Sequence, residues 1–290
     1  MDLALRPRSA PEIVDAAVQL FRRHFPAFLT LAAVAAVPRL AIAAAQFGVS
    51  LQSGTAAAAA IGGNPLAMFS GTYLLLTLAS LLVTGVFESA FVSLADDGLR
   101  TGSATAGRAL SRGMGRAVPV ALTFVAVLLI AVVGFAFLIV PGVYLGLRLY
   151  PAVPAAALEG LGPGEALSRA WRRTGGSVGR GFLVYLIIFV IFFLASLAFG
   201  LLGGLVGGLA GALGGLGGAA VGAGVTFVMS QVLTGILVYP LLSAATTVFY
   251  YDTRVRTEAL DVELMADALG GPASGAGPGA GYGAGYGSGY

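Results

Sequence analysis

Connecting segments that carry arginine alternate in this chain with connecting segments that carry no charge, and this distribution constrains the fold more than any other feature. The chain contains no lysine, so arginine carries all of its fixed positive charge. The arginine-bearing segments are the N-terminal arm with Arg6, Arg8, Arg22 and Arg23, residues 100–116, residues 169–180, and Arg254 with Arg256. The segments that separate them have no ionisable side chain and comprise residues 48–64, 141–142 and 201–224. Because arginine-rich loops remain in the cytoplasm, the pattern predicts an even number of membrane spans with both termini cytoplasmic.

Composition leads to the same class of protein. Of the 290 residues, 58% are hydrophobic and only 10% are charged, and the mean hydropathy is +0.92. So few charges cannot cover the surface of a soluble protein of this size, so we predict an integral membrane protein. The absence of cysteine excludes disulfides and thiolate metal sites. The formal net charge of +3 predicts contact with the bilayer and its anionic headgroups rather than with nucleic acid.

Apolar stretches predict a membrane domain over residues 26–251. The six predicted spans are residues 26–47, 66–95, 118–140, 143–158, 182–200 and 225–250. We expect a tight external turn at Pro141-Gly142, and a broken fourth span because it contains Pro151 and Pro154. Residues 252–269 form a predicted cytoplasmic C-terminal segment. The Gly- and Tyr-rich tail, residues 270–290, cannot bury a core and is predicted to be disordered.

A short amphipathic segment precedes each pair of predicted spans. Ser9-Ala10-Pro11-Glu12 is typical of a helix start, so residues 1–25 predict a cytoplasmic amphipathic helix, and residues 104–116 and 165–173 predict two more. Ala-Leu-Ser-Arg occurs at both 109–112 and 166–169, which indicates a repeated unit. The predicted fold is therefore an all-α polytopic bundle of six transmembrane helices, arranged as three hairpins that each follow a cytoplasmic interfacial helix.

Side chains at the ends of these units carry charge. Each unit closes with a carboxylate at its cytoplasmic exit, and these acids are Asp96 or Asp97, Glu159 and Asp252. We expect basic and aromatic residues of the interfacial helices to anchor the protein at the headgroups. The predicted anchors are Arg22, Arg23, Trp171, Arg172 and Arg173.

Three ionisable residues fall inside predicted spans, namely Arg39, Glu88 and Arg148. A charge at the centre of a bilayer costs about 2.5–3.5 kcal/mol even on lenient scales, so these side chains should face one another or water. One interpretation is a structural clamp in which Glu88 pairs with one arginine. The other is a ligand site, since two arginines against one glutamate leave a positive pocket that suits a phosphate or carboxylate.

Glycine forms two rows between residues 200 and 215. Rows of small residues at four-residue spacing let helices approach closely, and this spacing predicts helix packing. The predicted packing residues are Gly203, Gly204, Gly207, Gly208 and Gly211. The path of residues 201–224 is open between a helical extension, a re-entrant loop and a packed hairpin.

Several stretches jointly resemble a known bacterial family. They are residues 5–9 with Glu12-Ile13 and 21–25, residues 141–145 with Arg148, Pro154 and 158–160, residues 166–169 with Trp171, and residues 250–256 with Glu258, Asp261 and Glu263. Over residues 5–267 the chain resembles the membrane domain that is fused to some glycerophosphoryl diester phosphodiesterases and that also occurs alone. The resemblance implies a helical domain of the bacterial inner membrane with no established activity. The fused enzyme needs a histidine pair and acidic metal ligands, and His24 is the only histidine here.

The residues therefore indicate a protein that is not an enzyme and has no cofactor or metal site. Our first hypothesis is that it binds or moves an anionic or amphipathic, lipid-like ligand through a cavity around Arg39, Glu88 and Arg148. The alternative is a non-catalytic scaffold whose Gly-rich helices dock on a second copy or on another membrane protein.

Overall fold

A computed structural model describes residues 7–52 and 70–258, and every regular element within these ranges is helical. In chain order the helices are α1 (Ala10–Arg23), α2 (Phe25–Gln52), α3 (Gly71–Arg100), α4 (Ala106–Met114), α5 (Ala117–Phe137), α6 (Ile139–Leu149), α7 (Ala152–Glu159), α8 (Pro163–Thr174), α9 (Val178–Leu233), a π-helix (Thr234–Val238) and α10 (Tyr239–Glu258). The predicted tail at 270–290 and most of 252–269 lie outside the described residues.

In the described ranges, five helical segments are long and apolar enough to cross a membrane: Phe25–Val49, Gly71–Arg100, Ala117–Phe137, Val178–Gly215 and Gly224–Glu258. They correspond to the predicted first, second, third, fifth and sixth spans. The predicted fourth span, 143–158, is divided between α6 and α7, which are separated at Tyr150 and Pro151. Neither helix is long enough alone to span a bilayer, which needs about 20 apolar residues.

The turn between α5 and α6 lies at Leu138, three residues before the expected Pro141-Gly142 turn. Leu138 has extended backbone with φ −164° and ψ 160°, and Pro141 and Gly142 fall in the first turn of α6. Proline is tolerated in a first turn because its missing N–H would have no partner there. Gly142 serves close packing instead, since a Cβ at this position would lie 2.4 Å from the Phe135 ring.

Helices α1, α4 and α8 are the short helices that the sequence predicted to be amphipathic, and they are amphipathic in the structure. The backbone N–H of Ser9 donates to the Glu12 carboxylate at 2.8 Å and caps the start of α1. The apolar face of α1 is buried, with Ile13 and Leu20 fully inaccessible. Helix α4 packs on α3, α8 packs on α7, and α1 packs on the last helix, α10. Each short helix thus covers the end of a longer or broken helical segment.

Residues 201–224 belong to two antiparallel helical arms. The backbone of α9 leaves helical geometry at Gly215, where φ is +58° and ψ is −140°, a conformation that glycine adopts most readily. A Cβ at Gly222 would lie 2.2 Å from the Gly207 Cα, and one at Gly203 would lie 2.6 Å from Thr226. Of the three paths left open by the sequence, the structure therefore has the packed hairpin.

Buried side chains concentrate at the end of the bundle where α1 meets the longer helices. The core contains Phe28, Phe91, Phe249 and Tyr250, each at most 1% exposed. Away from this end the apolar side chains face outward, and Phe137 is 78% exposed. Apolar side chains that face outward are expected on helices that contact lipid. In a bilayer, close packing and polar contacts between helices drive their association in place of the hydrophobic effect.

Candidate functional site: a buried polar cluster behind an apolar groove

A π-helix sets the geometry of the candidate site. Pro240 has no N–H to donate to the preceding turn, and the Tyr239 N–H donates instead to the Thr234 carbonyl, five residues back. Short π segments of this kind are frequent at functional sites. The segment brings Gly235 beside α2, since a Cβ on Gly235 would lie 3.8 Å from Nη1 of Arg39.

Arg39 lies against this π-helix rather than in lipid. Its guanidinium carbon is 4.0 Å from the centre of the Tyr239 ring, a cation–π contact. The same guanidinium interacts electrostatically with the Glu88 carboxylate on α3. Two of the three predicted site residues are therefore brought together, and their charges are opposite.

Glu88 is 2% exposed and is the deepest charged group of the cluster. Its polar neighbours are the side chains of Ser243, Arg39 and Tyr150. Within the described part of the chain, neither Oε1 of Glu88 nor Oγ of Ser243 has a hydrogen-bond partner of acceptable geometry. The hydroxyls of Ser243 and Tyr150 lie close enough to interact with the Glu88 carboxylate, so the cluster is a group of buried, poorly aligned polar contacts and a candidate site.

An apolar groove lies on the other side of the tyrosines that surround Glu88. The groove has a volume of about 330 Å³ and runs between α5, α6, α9 and α10. Tyr150, Tyr185 and Tyr239 line it, and its other lining residues are apolar. Tyr150 and Tyr185 pack edge to face with ring centres 5.8 Å apart. The Tyr185 hydroxyl is turned from the groove toward Thr246 Oγ1, at 3.4 Å.

Arg148, the third predicted site residue, does not join this cluster. Its guanidinium carbon lies 3.7 Å from the centre of the Trp171 ring on α8, and its Nη2 donates to the Trp171 carbonyl at 3.2 Å. Its Nη1 donates to the Tyr144 hydroxyl. The pocket with two arginines and one glutamate that the sequence suggested is therefore not formed.

The predicted exit acids all lie in ion pairs with arginines. Asp97 accepts from Arg112 at 2.6 Å, and Asp252 accepts from Arg180 at 2.7 Å. Glu159 accepts from Arg173 at 2.5 Å and from Arg169 at 3.2 Å. Tyrosines of α10 complete two of the three clusters, because Tyr251 donates to Asp96 and Tyr250 donates to Glu159.

These contacts shift the titration of groups outside the candidate spans. Burial raises the pKa of Glu159, but hydrogen bonds from Tyr250 and Arg173 and the charges of Arg173 and Arg169 lower it by more, so the net pKa lies below its ordinary value. Burial opposes the charge of Arg173, yet Glu159 and other partners leave its pKa raised. Burial and the charge of Arg23 lower the pKa of His24.

Among the predicted anchors, Arg173 is a buried structural cation, whereas Arg22, Arg23, Trp171 and Arg172 are exposed.

Comparison with known proteins identifies no relative: no family model, no curated protein and no solved structure matches this chain. The site therefore rests on the geometry described above. The sequence patterns did not single out Tyr150, Tyr239 or Ser243 as site residues. One local signal was present, since Pro240 directly follows Tyr239 inside a predicted span.

Proposed function

We propose that this chain is a non-enzymatic integral membrane protein that binds an amphipathic, lipid-like molecule in the groove between α5, α6, α9 and α10. The observation that carries the proposal is the groove itself, about 330 Å³ of apolar space with three tyrosines in its lining. Ligand pockets typically combine an apolar lining of this size with a few convergent polar groups. Here the polar groups are the tyrosines and, directly behind Tyr150, the buried Glu88.

The charge of the cluster favours an amphipathic ligand over an anion. Because Arg39 faces Glu88 and Arg148 lies elsewhere, the two charges beside the groove balance. An apolar chain can fill the groove, while a hydroxyl or amide group of the ligand can use the unpartnered atoms of Glu88 and Ser243. Reaching those atoms requires a rotation of the Tyr150 side chain, which packs on Tyr185.

The same proposal includes a topology and a place in the cell. We infer six passes in three hairpins, with the broken segment 143–158 as the fourth pass and both termini in the cytoplasm. Supporting this arrangement are the arginine distribution and the packing of each amphipathic helix on a different membrane helix. The resemblance over residues 5–267 supports the bacterial inner membrane as the location and membership in the phosphodiesterase membrane-domain family.

Filling the groove tests the function. Gly146 lines it, and a Cβ there would meet only Ala131 at 3.7 Å, so Gly146→Phe should occupy the groove without a backbone clash. The probe is phosphatidylethanolamine with a photoreactive group on its acyl chain, added to the purified full-length protein. Labelling of α5 and α6 peptides should fall on the order of tenfold in Gly146→Phe, as expected when about 1.4 kcal/mol of binding is lost.

Gly48→Phe is the matched control, because Gly48 is also helical and nothing lies within 4 Å of its Cβ position. Its labelling should equal that of the natural protein. Uniform labelling of all lipid-facing helices, or equal labelling in both variants, contradicts the proposal.

The scaffold alternative retains one supporting observation. Gly204 and Gly208 lie on an open face of α9, with nothing within 4 Å of their Cβ positions. Exposed leucines flank them, and Leu205 is 62% exposed. A face of small residues of this kind suits the docking of another helix.

A further inference from the structure

The neighbours of the Arg148 guanidinium are aromatic or uncharged polar groups. Arg169 and Arg173 on α8 and Arg180 on α9 each have a carboxylate within 4.0 Å. Arg148 has no carboxylate within that distance among residues 7–52 and 70–258. Its neighbours are two aromatic rings, a tyrosine hydroxyl and a backbone carbonyl. Its charge is therefore not neutralised by the protein.

The guanidinium is also incompletely hydrogen-bonded. Nη1 and Nη2 have partners, but Nε is buried and has none within the described chain. Because a partly desolvated cation without a counterion is costly, this arrangement is more stable when an anion supplies the missing charge. The Trp171 ring holds the guanidinium plane in place, so little side-chain freedom is lost when an anion binds.

The surroundings indicate where the anion comes from. Trp171 is 40% exposed and Tyr144 is 39% exposed, and both belong to helices at the boundary between the apolar bundle and the charged end. Tryptophan and tyrosine are enriched at the level of lipid headgroups, where an apolar ring meets a polar tip. A lipid phosphate at this level would lie within reach of the arginine, and its chains would remain in the bilayer.

We propose that Arg148, Tyr144 and Trp171 form a binding site for the headgroup of an anionic phospholipid in the leaflet that contacts α8. The phosphate accepts hydrogen bonds from the guanidinium, and the Tyr144 hydroxyl turns from acceptor to donor toward it. The indole of Trp171 packs on the lipid glycerol region and fixes the arginine. This site lies on a different face of α6 from the groove and does not depend on the proposed groove ligand.

Native mass spectrometry of the full-length protein tests the site. Phosphatidylglycerol is titrated against the protein in neutral detergent. Phosphatidylcholine, which is zwitterionic and has no net charge, is the comparison. In Arg148→Gln, the affinity for phosphatidylglycerol should fall about tenfold or more, the loss expected for a charge-assisted pair. Arg108→Gln removes the same charge from α4, where Arg108 donates to Ser103 and Thr105, and should change the affinity less than twofold.

Two further arms keep the outcome decisive. Arg148→Lys keeps the charge and loses the planar stack on Trp171, so its affinity should lie between those of the natural protein and Arg148→Gln. An equal loss in Arg148→Gln and Arg108→Gln would show diffuse charge attraction and overturn the site. Displacement of the lipid by millimolar inorganic phosphate would overturn the lipid as its ligand in favour of a free anion.

Discussion

Glu159 shows how a single residue can connect three helices. It ends α7, accepts a hydrogen bond from Tyr250 of α10, and pairs with Arg173 of α8. Because its pKa is lowered in the folded state, its contribution to stability is complete above the ordinary carboxyl pKa of 4.5. That contribution is lost as the pH falls from 4.5 through the lowered folded-state pKa.

Thermal unfolding in detergent at a series of pH values checks this contribution. Glu159→Gln should destabilise the protein at neutral pH by on the order of 1–3 kcal/mol, since it leaves the buried Arg173 with a weaker partner. Its unfolding temperature should then depend less on pH below 4.5 than that of the natural protein. Glu165→Gln, in the exposed first turn of α8, is the control. Parallel pH curves for Glu159→Gln and the natural protein would exclude this role.

Sequence reasoning located charged residues well but not their partners. The exit acids and arginines stand out because so few charges interrupt this chain. Arg39 and Glu88 were expected to face one another because a charge inside a span avoids lipid. Arg148 was expected in the same place, although Pro151 and Pro154 predicted a broken fourth span. The structure instead places Arg148, near the end of α6, against Trp171 of α8.

The glycine-rich hairpin has two kinds of glycine surface, one packed between its arms and one facing outward. Gly207 lies inside the hairpin, where Gly222 of the second arm approaches its Cα, and Gly204 faces outward. Gly207→Leu should force the arms apart and lower stability by about 1–3 kcal/mol, the usual cost of overpacking. Gly204→Leu has free space and should leave stability within about 0.5 kcal/mol.

Thermal unfolding and native gels of the two variants distinguish packing within the chain from docking between chains. If the open face of α9 docks a second copy, Gly204→Leu should dissociate the oligomer while its unfolding temperature in detergent changes little. An oligomer that survives Gly204→Leu would count against the scaffold alternative. A Gly207→Leu protein as stable as the natural one would contradict the intrachain contact.

The long spans and the amphipathic helices followed from the sequence, whereas one turn and the glycine-rich hairpin did not. Alternating charge and apolar length placed the five long candidate spans, and amphipathic spacing placed α1, α4 and α8. The turn at Leu138 has no glycine or proline of its own, so local turn chemistry pointed three residues too far along. The hairpin was one of three open paths, because glycine spacing allows close packing but does not identify the partner helix.

A polar contact joins the segment before α1 to α10, the last described helix. Asp252, 3% exposed on α10, accepts the backbone N–H of Arg8 at 2.7 Å and pairs with Arg180 at 2.7 Å. Arg256 donates to the Arg8 carbonyl at 2.9 Å. Helix α1 thus covers the end of α10 as α4 covers α3, and the first amphipathic helix completes the last structural unit.

Removing the Asp252 charge should therefore release the N-terminal helix. Asp252→Asn leaves the half-buried Arg180 without its counterion, and the expected loss is about 1–3 kcal/mol. Hydrogen exchange should rise first in α1, because α1 depends on this contact while α3 and α5 pack on each other elsewhere. Asp15→Asn, which changes an exposed carboxylate of α1 that contacts Gln19, should leave exchange in α1 unchanged. Uniform exchange across all helices in Asp252→Asn would instead mean that α1 does not open as a separate unit.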